Sequence, residues 1–381
     1  MITITDKRDC CGCEACVQCC PKQCIAMRTD EEGFSYPETD ASRCIECGLC
    51  ERVCPILNCG EPRKPLKVYA AKNPNDDIRM KSSSGGIFTM LAEKTVSEGG
   101  VVFGARFNEK WEVVHDHTET KEGLAAFRGS KYVQSRIGRE YVRAKEYLAA
   151  GRKVLFSGTP CQIAGLRRYL GKRYDNLLTV DIVCHGVPSP FVWKRYLDES
   201  KSQQRITEIS MRDKTTGWTD YGILINGIGA PIVKEPAAGN IYMRGFLREL
   251  YNRPSCHACP ARGGRSGSDI TIGDYWGIHH LHPEFVDPNG VGLIMIRTDK
   301  GAEEFADLDT INIETTYEEA VSGNPSIECD MAVSVDRAEF FAALPNGRIA
   351  DICKRILKRY EPSRLRIAAS IIKQHIKRLL R

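Results

Sequence analysis

The stretch CCGCEACVQCCP, Cys10 to Pro21, places six cysteines in twelve residues. A [4Fe–4S] cluster of the bacterial-ferredoxin type is held by the run C-x2-C-x2-C-x3-C-P. Only one register of the stretch fits this run, and it leaves Cys11 and Cys19 outside the ligand set. The cysteines that it selects are Cys10, Cys13, Cys16 and Cys20.

The same run recurs in CIECGLCERVCP, which ends at Pro55. Two runs predict a duplicated ferredoxin module over residues 1–60, in which the fourth cysteine of each run binds the other cluster. Zinc and disulfides are the alternatives, but zinc prefers separated CxxC pairs and disulfides need an oxidising compartment. We interpret the spare cysteines Cys11, Cys19, Cys24 and Cys59 as small packing residues. The predicted ligand sets are Cys10, Cys13, Cys16 and Cys54 for one cluster, and Cys44, Cys47, Cys50 and Cys20 for the other.

The bulk composition indicates a cysteine-rich globular protein. The chain has 381 residues, of which 42% are apolar and 27% charged, enough for two or three domains. We see no signal-peptide pattern and no apolar run long enough to cross a membrane. Eighteen cysteines without a secretory signal favour metal ligation in a reducing cytoplasm.

Charge is unevenly distributed along the chain. Residues 1–60 hold 10 acidic and 6 basic side chains, whereas residues 351–381 hold 10 basic and 2 acidic ones. The net charge of +5 therefore belongs to the tail and gives no reason to expect nucleic-acid binding. Apolar residues from Leu365 to Leu380 fall on one helical stripe, which predicts packing on the body or a partner, or peripheral contact with an anionic membrane.

The rest of the chain predicts two further segments. After the linker EPRKPLK, strand and helix patterns alternate over residues 66–335, which predicts an α/β domain with a mixed-sheet α+β core. Residues 336–381 read as a helical, basic C-terminal segment. The predicted fold class is thus a small two-cluster ferredoxin-like domain, a mixed α/β core and a helical tail.

Two small-residue turns in the core suit a phosphate. KSSSGGIFTML places Ser83, Ser84, Gly85 and Gly86 at the start of a helix, where free N–H groups attract anions. An ordinary serine cap is the alternative interpretation. FRGSKYVQS offers Ser130, Lys131, Tyr132 and Gln134 for a phosphate or the edge of a flavin ring; a surface turn is the alternative.

A third group of cysteines is spread over the core. In VLFSGTPCQIAGLRR, a strand ends at Ser157 and Thr159 caps a helix, so that the helix dipole should lower the pKa of the Cys161 thiol. Cys184 follows another buried strand, at the edge where ligands of α/β sheets gather. With the CxxC pair Cys256 and Cys259, four thiolates are available for a third [4Fe–4S] cluster or a zinc ion; unrelated structural thiols are the alternative.

Other polar and aromatic residues near these cysteines are weaker candidates. His185 could relay a proton in catalysis or simply make a structural hydrogen bond. Asp269, Asp274 and Trp276 could line a cofactor, although a tryptophan of this kind is commonly core.

Five segments together resemble the coenzyme F420 hydrogenase/dehydrogenase beta-subunit family: SSSGG, GSKYVQS, SGTPCQ, CHGVPSP and DITIGDYWG. The resemblance implies a bound FAD, a nearby [4Fe–4S] cluster and hydride exchange with a diffusible substrate, often a deazaflavin. It implies that Cys161, Cys184, Cys256 and Cys259 hold the cluster and that the Ser/Gly and Gly-Ser-Lys turns contact FAD. No GxGxxG fingerprint is present, so a Rossmann mode of binding is not expected.

Two hypotheses of function follow. The first is an iron–sulfur flavin-dependent oxidoreductase that passes electrons between ferredoxin-type clusters, FAD and a small two-electron substrate such as coenzyme F420 or another metabolite. The second is a non-catalytic electron-transfer subunit of a larger redox complex. Under both hypotheses we expect a redox partner protein or ferredoxin to exchange electrons with the chain. Assembly into a homo-oligomer stays open.

Overall fold

The structure is a computed structural model that describes residues 1–200 and 204–360. The apolar stripe predicted between Leu365 and Leu380 lies outside these residues. No helix in the described ranges is long and apolar enough to cross a membrane.

Thirteen strands and thirteen α-helices are present in the described ranges. The strands are β1 (Ile25–Thr29), β2 (Ser35–Thr39), β3 (Lys67–Lys72), β4 (Val101–Phe107), β5 (Val113–Thr118), β6 (Val154–Gly158), β7 (Leu177–Ile182), β8 (Ile206–Asp213), β9 (Gly222–Gly227), β10 (Pro231–Pro236), β11 (Ile270–Asp274), β12 (Gly292–Ile296) and β13 (Ile311–Thr315). The helices are α1 (Ala15–Cys19), α2 (Leu49–Arg52), α3 (Asp76–Lys81), α4 (Ile87–Ser97), α5 (Glu140–Ala149), α6 (Pro160–Leu170), α7 (Pro190–Ser200), α8 (Ile241–Leu247), α9 (Ile278–Leu281), α10 (Asp299–Ala306), α11 (Tyr317–Gly323), α12 (Arg337–Ala343) and α13 (Ile349–Leu357).

An eight-stranded mixed sheet forms the centre of the protein, in the order β13-β3-β12-β11-β7-β6-β4-β5. Strands β4, β6, β7 and β11 run parallel, and the strands outside them pair antiparallel. The predicted mixed α/β core is therefore confirmed. Because parallel strands end at a common edge, the segments that follow β6, β7 and β11 meet there.

Alternation along β6 explains how both faces of the sheet are covered. Val154 and Phe156 face the core that contains α5, α6 and the cysteine-rich N-terminal segment, whereas Leu155 faces the core that contains α4 and α10. Successive strand residues point to opposite faces, so one short apolar run supplies both layers.

The N-terminal segment is a hairpin of β1 and β2 with the short helices α1 and α2. Its buried Cys11, Cys13 and Cys16 share a hydrophobic core with Ile163 and Leu166 of α6. The segment is thus packed directly on the central sheet's helical layer.

A second, three-stranded antiparallel sheet has the order β10-β9-β8. It forms another core with residues of α7, α8, α12 and α13, in which Trp193, Tyr242 and Phe340 are fully buried. This layer closes the region beside the ends of β7 and β11.

Candidate functional site

The eight cysteines of the two N-terminal runs line two separate small cavities. The fourth cysteine of each run lies with the first three of the other run. The first cavity is lined by Cys10, Cys13, Cys16 and Cys54. The second cavity is lined by Cys20, Cys44, Cys47 and Cys50.

The two cavities differ in their distance from solvent. Cys10, Cys13, Cys16 and Cys54 are all buried. Around the second cavity Cys47 is exposed, and the neighbouring Ile45 keeps 56% of its surface exposed. The second cysteine set is therefore the outer one.

A buried arginine joins the first cysteine run to the body. Arg253 donates through Nε to the Cys10 carbonyl at 2.7 Å and through Nη2 to the Ser35 carbonyl at 2.9 Å. Its Nη2 also lies 3.5 Å from Cys10 Sγ, and its guanidinium stacks over the Tyr36 ring at 4.5 Å. Sequence reasoning missed Arg253, because its partners in the N-terminal segment are more than 200 residues away in the chain.

The other four predicted cysteines come from three separate segments of the core. Cys161 lies in the first turn of α6, Cys184 follows β7, and Cys256 and Cys259 lie in and just after the turn Pro254–Ala258. Their thiols interact electrostatically with one another, which places them in one group. Burial raises the pKa of Cys184 to about 12 and that of Cys259 to about 11.

The pKa of Cys161 differs from the sequence-based expectation. A hydrogen-bonding contact with Cys11 and then burial raise the pKa of this thiol well above its ordinary value. The capping box of Thr159 and Gln162 does form at the start of α6. The helix N-terminus is nevertheless outweighed, because the thiol is desolvated and lies against another thiol.

The spacing of the sulfurs bears on which metal group they fit. Tetrahedral zinc with Zn–S bonds of about 2.3 Å holds its sulfurs about 3.8 Å apart. Within residues 1–200 and 204–360, the only group of three or more ligand atoms that all lie within 4.8 Å is Asp116, His117 and Glu140. No three cysteine sulfurs in those ranges all lie within 4.8 Å of one another.

A cavity of about 870 Å³ opens at the carboxyl ends of β6, β7 and β11. Cys184 lines both this cavity and the small space beside Cys259, so the third cysteine group and the cavity share a wall. Nine of the ten predicted flavin contacts line it: Ser83, Ser84, Gly85, Gly86, Ser130, Lys131, Tyr132, Ser157 and Thr159.

The two small-residue turns are joined at the cavity wall. Ser83 Oγ lies 2.8 Å from Ser130 Oγ and accepts a hydrogen bond from the Ser130 N–H at 2.6 Å. Gly86 precedes α4 in a left-handed conformation, and no side chain caps the first N–H groups of this helix. These N–H groups and the hydroxyls make an anion-binding corner in the cavity.

Lys131 supplies a cation to the same wall. Its ammonium donates to the carbonyls of Arg128 and Gly129 at 2.9 and 3.1 Å. Burial lowers the pKa of Lys131 to about 7. An anion bound in the cavity would favour the charged form of this lysine.

Two predicted cofactor residues are placed elsewhere. Gln134 lies outside the cavity lining, because its side chain binds the Cys11 carbonyl at 3.1 Å and Arg253 at 2.9 Å. Asp269 is buried against Thr179 and Arg167, where it ties strands together. Both residues hold the scaffold.

Beside the serine-rich turn, one end of the cavity is aromatic. Arg212 forms a bidentate pair with Asp274 at 2.8 and 2.9 Å and bonds the Tyr132 hydroxyl at 3.1 Å. Trp276 stacks on Trp218 with 3° between the planes, and both Arg212 and Trp276 line the cavity. Asp274 and Trp276 were predicted from the sequence; Arg212 carried no local signal there.

His185 also lines the cavity, next to Cys184. Its Nε2 lies 2.6 Å from Glu249 Oε1, and its ring meets the edge of Phe246. The imidazole thus lies against a largely buried carboxylate at the wall shared with the third cysteine group.

Comparisons with known proteins agree with the sequence-based resemblance. Residues 68–138 and 151–320 match the N- and C-terminal family models of the coenzyme F420 hydrogenase/dehydrogenase beta subunit. Residues 9–57 match a 4Fe-4S dicluster domain. A chain in the xenon-derivatised F420-reducing [NiFe] hydrogenase complex from Methanosarcina barkeri is 18% identical with a TM-score of 0.45; the match covers 78% of this chain and 93% of that one. No curated protein matches significantly.

Proposed function

Because this chain belongs to the coenzyme F420 hydrogenase/dehydrogenase beta-subunit family, we propose that it is an iron–sulfur flavoprotein oxidoreductase. The family and the N-terminal dicluster domain give it an iron–sulfur, electron-transfer role. The proposal adds a third [4Fe–4S] cluster, FAD, and a small two-electron substrate such as coenzyme F420 or another metabolite. The observation that supports this proposal is the wall that the third cysteine group shares with the large cavity.

In the N-terminal module, we assign Cys10, Cys13, Cys16 and Cys54 to an inner cluster and Cys20, Cys44, Cys47 and Cys50 to an outer one. The exposure of Cys47 and Ile45 supports the outer site as the place where a redox partner protein exchanges electrons. The inner cysteines lie against α6, which carries Cys161.

For the third cluster, the donor set fits the group. Four half-buried thiols with raised pKa values stay protonated unless a cation binds, and a coordinating metal deprotonates them. The wide sulfur spacing supports an iron–sulfur core over zinc.

For FAD, the cavity offers groups of the required kinds. The N–H groups at the start of α4, Ser83, Ser130 and Lys131 would hold the phosphates. The aromatic end around Tyr132 and Trp276 offers flat apolar surface for a ring system.

The chemistry needs a junction between one-electron and two-electron carriers, which a bound flavin supplies. Residues of this chain would enclose and orient the reactants: Cys184 lies beside the cavity, and His185 with Glu249 is the candidate for holding a proton at its wall. We place the protein in a reducing compartment such as the cytoplasm, because so many free thiols would otherwise be oxidised.

Anaerobic purification with iron and flavin analysis tests the proposal. We expect about twelve irons per chain for three clusters and release of FAD on denaturation. The reduced protein should be reoxidised by a small molecule with no partner protein added. Reoxidation only by a partner protein, without bound flavin, would favour the non-catalytic electron-transfer subunit instead.

A further inference from the structure

Cys11 is not a proposed ligand of any of the three clusters, yet it lies between the first cysteine run and the third cysteine group. It is buried in an apolar core that also contains Cys13 and against which Cys161 packs, and its thiol influences the pKa of both of those thiols. Cys13 faces the inner cavity of the N-terminal module, whereas Cys161 belongs to the third group. One side chain therefore contacts a proposed ligand of each of two clusters.

Close packing from both sides fixes this position. The Cys11 carbonyl accepts a hydrogen bond from Gln134, and the preceding Cys10 carbonyl accepts one from Arg253. A β-carbon on Gly12 would lie 2.7 Å from Gln134 Nε2 and 2.8 Å from Arg253 Nη1, so the backbone here fits closely against the body.

Helix α6 approaches the same point from the other side. A β-carbon on Gly165 would lie 2.9 Å from Cys13 Cβ and 3.0 Å from Cys13 Sγ. The glycine lets the helix that carries Cys161 come into direct contact with the inner cysteine run. Side chains of any larger size at this position would separate the two.

We propose that Cys11 is a positioning residue that links the inner cluster of the N-terminal module to the third cluster. This inference rests on the proposed function. With both clusters bound, its thiol would fill the space between the two ligand sulfurs and would donate its S–H to one of them. The path of a single electron between the clusters would then hold no water, and no bond would be made or broken. A donor on a ligand sulfur offsets its negative charge and raises the reduction potential of that cluster.

Cys19 provides a matched control within the same run. It is the other spare cysteine, and its Sγ contacts the Cys16 carbonyl at 3.3 Å. Its thiol interacts with Cys20, Cys47 and Cys50 and has no contact with Cys161 among those described. Replacing Cys19 removes the other spare thiol, which is half-buried, from the module without touching the link.

The test compares Cys11→Val with Cys19→Val in anaerobically purified full-length protein. Valine is close to cysteine in size but cannot donate a hydrogen bond. We expect full iron in both variants. In Cys11→Val alone, we expect the reduction potential of the inner or third cluster to fall by about 59 mV, a tenfold change in its reduction equilibrium. Rapid-mixing measurements should show transfer from the module to the third cluster slowed about tenfold, on the scale of one lost hydrogen bond.

The outcomes separate this inference from the proposed function. If Cys11→Val holds twelve irons and its reduction potentials and electron-transfer rates are unchanged, Cys11 is only a packing residue. The proposed function would then be unaffected. Only eight irons in the unmodified protein would remove the third cluster and the link together. If Cys11→Val fails to take up iron, the variant Gly165→Ala replaces it in the test. Provided that Gly165→Ala has its full iron content, electron transfer from the module to the third cluster should slow. An unchanged transfer rate would overturn the link.

Discussion

At the scale of single residues, Cys161 is the most informative position, because it is the only proposed ligand on α6. Cys161→Ala should lose about four irons while the clusters of the N-terminal module survive. Flavin should stay bound, since the proposed phosphate contacts lie at α4 and the Ser130 turn. Iron and flavin analysis, with electron paramagnetic resonance of the remaining clusters, checks this.

Cys329→Ala is the matched control for that variant, because Cys329 is an exposed cysteine that lines the large cavity and belongs to no proposed ligand set. It should keep all the iron. If Cys161→Ala also keeps its full iron content and loses only turnover, Cys161 acts as a catalytic thiol. If the variant keeps both its iron and its activity, Cys161 is a packing residue.

His115 predicts a pH dependence of stability. The ring lies buried between the Ser157 carbonyl and Ser135 Oγ, and burial lowers its pKa from 6.5 to about 4. As the pH falls below 6.5, the unfolded chain takes up a proton that the folded chain refuses, so stability is lost. Between pH 7.5 and 5 this loss amounts to about 2 kcal/mol.

The variant His115→Asn should remove that part of the pH dependence, as measured by urea unfolding at several pH values. His280→Asn, at an exposed histidine, should keep the slope of the unmodified protein. Parallel slopes for all three proteins would mean that His115 is protonated in the folded state.

At the scale of secondary-structure elements, the start of α4 depends on Gly85. A β-carbon there would lie 2.2 Å from the Ala71 carbonyl oxygen and 2.5 Å from the Gly292 nitrogen. Gly85→Ala should therefore displace the helix N-terminus and destabilise the fold by about 1–3 kcal/mol. We expect flavin content to fall with it, because the displaced N–H groups belong to the proposed phosphate site.

Gly239→Ala controls for the general effect of adding a methyl group to a glycine. Its nearest neighbour would be the Pro236 carbonyl oxygen at 3.6 Å, an ordinary contact. Thermal unfolding and flavin analysis of the two variants should differ clearly. Normal flavin content in Gly85→Ala would place the phosphates somewhere other than the start of α4.

At the scale of the whole molecule, Arg253 attaches the N-terminal module to the body. Arg253→Met leaves the carbonyls of Cys10 and Ser35 and the Gln134 amide without a donor, at a cost of roughly 3–5 kcal/mol. Limited proteolysis should then cut near residues 60–66 and release the module. Arg8→Met, which removes an exposed ion pair with Asp6, should be cleaved at the same rate as the unmodified protein. Equal resistance of all three proteins would mean that the shared apolar core alone holds the module.

Local patterns in the sequence were sufficient for the mixed α/β class of the core and for the two cysteine runs. The spacing of ligands three residues apart is fixed by a short stretch of chain, and strong apolar runs such as that of β7 identify buried strands. Elements without such a signal were not predicted. Among them, β10 and β13 are edge strands whose side chains are mostly exposed.

Only the tertiary structure decided which distant residues meet. It gathered Cys161, Cys184, Cys256 and Cys259 from three segments, moved Gln134 from the cavity to Arg253, and packed Cys161 against the core that contains Cys11. It also reversed the expected pKa shift of Cys161. The physical reason is that desolvation and contact between thiols depend on how α6 packs against the N-terminal module, and no local spacing encodes that packing.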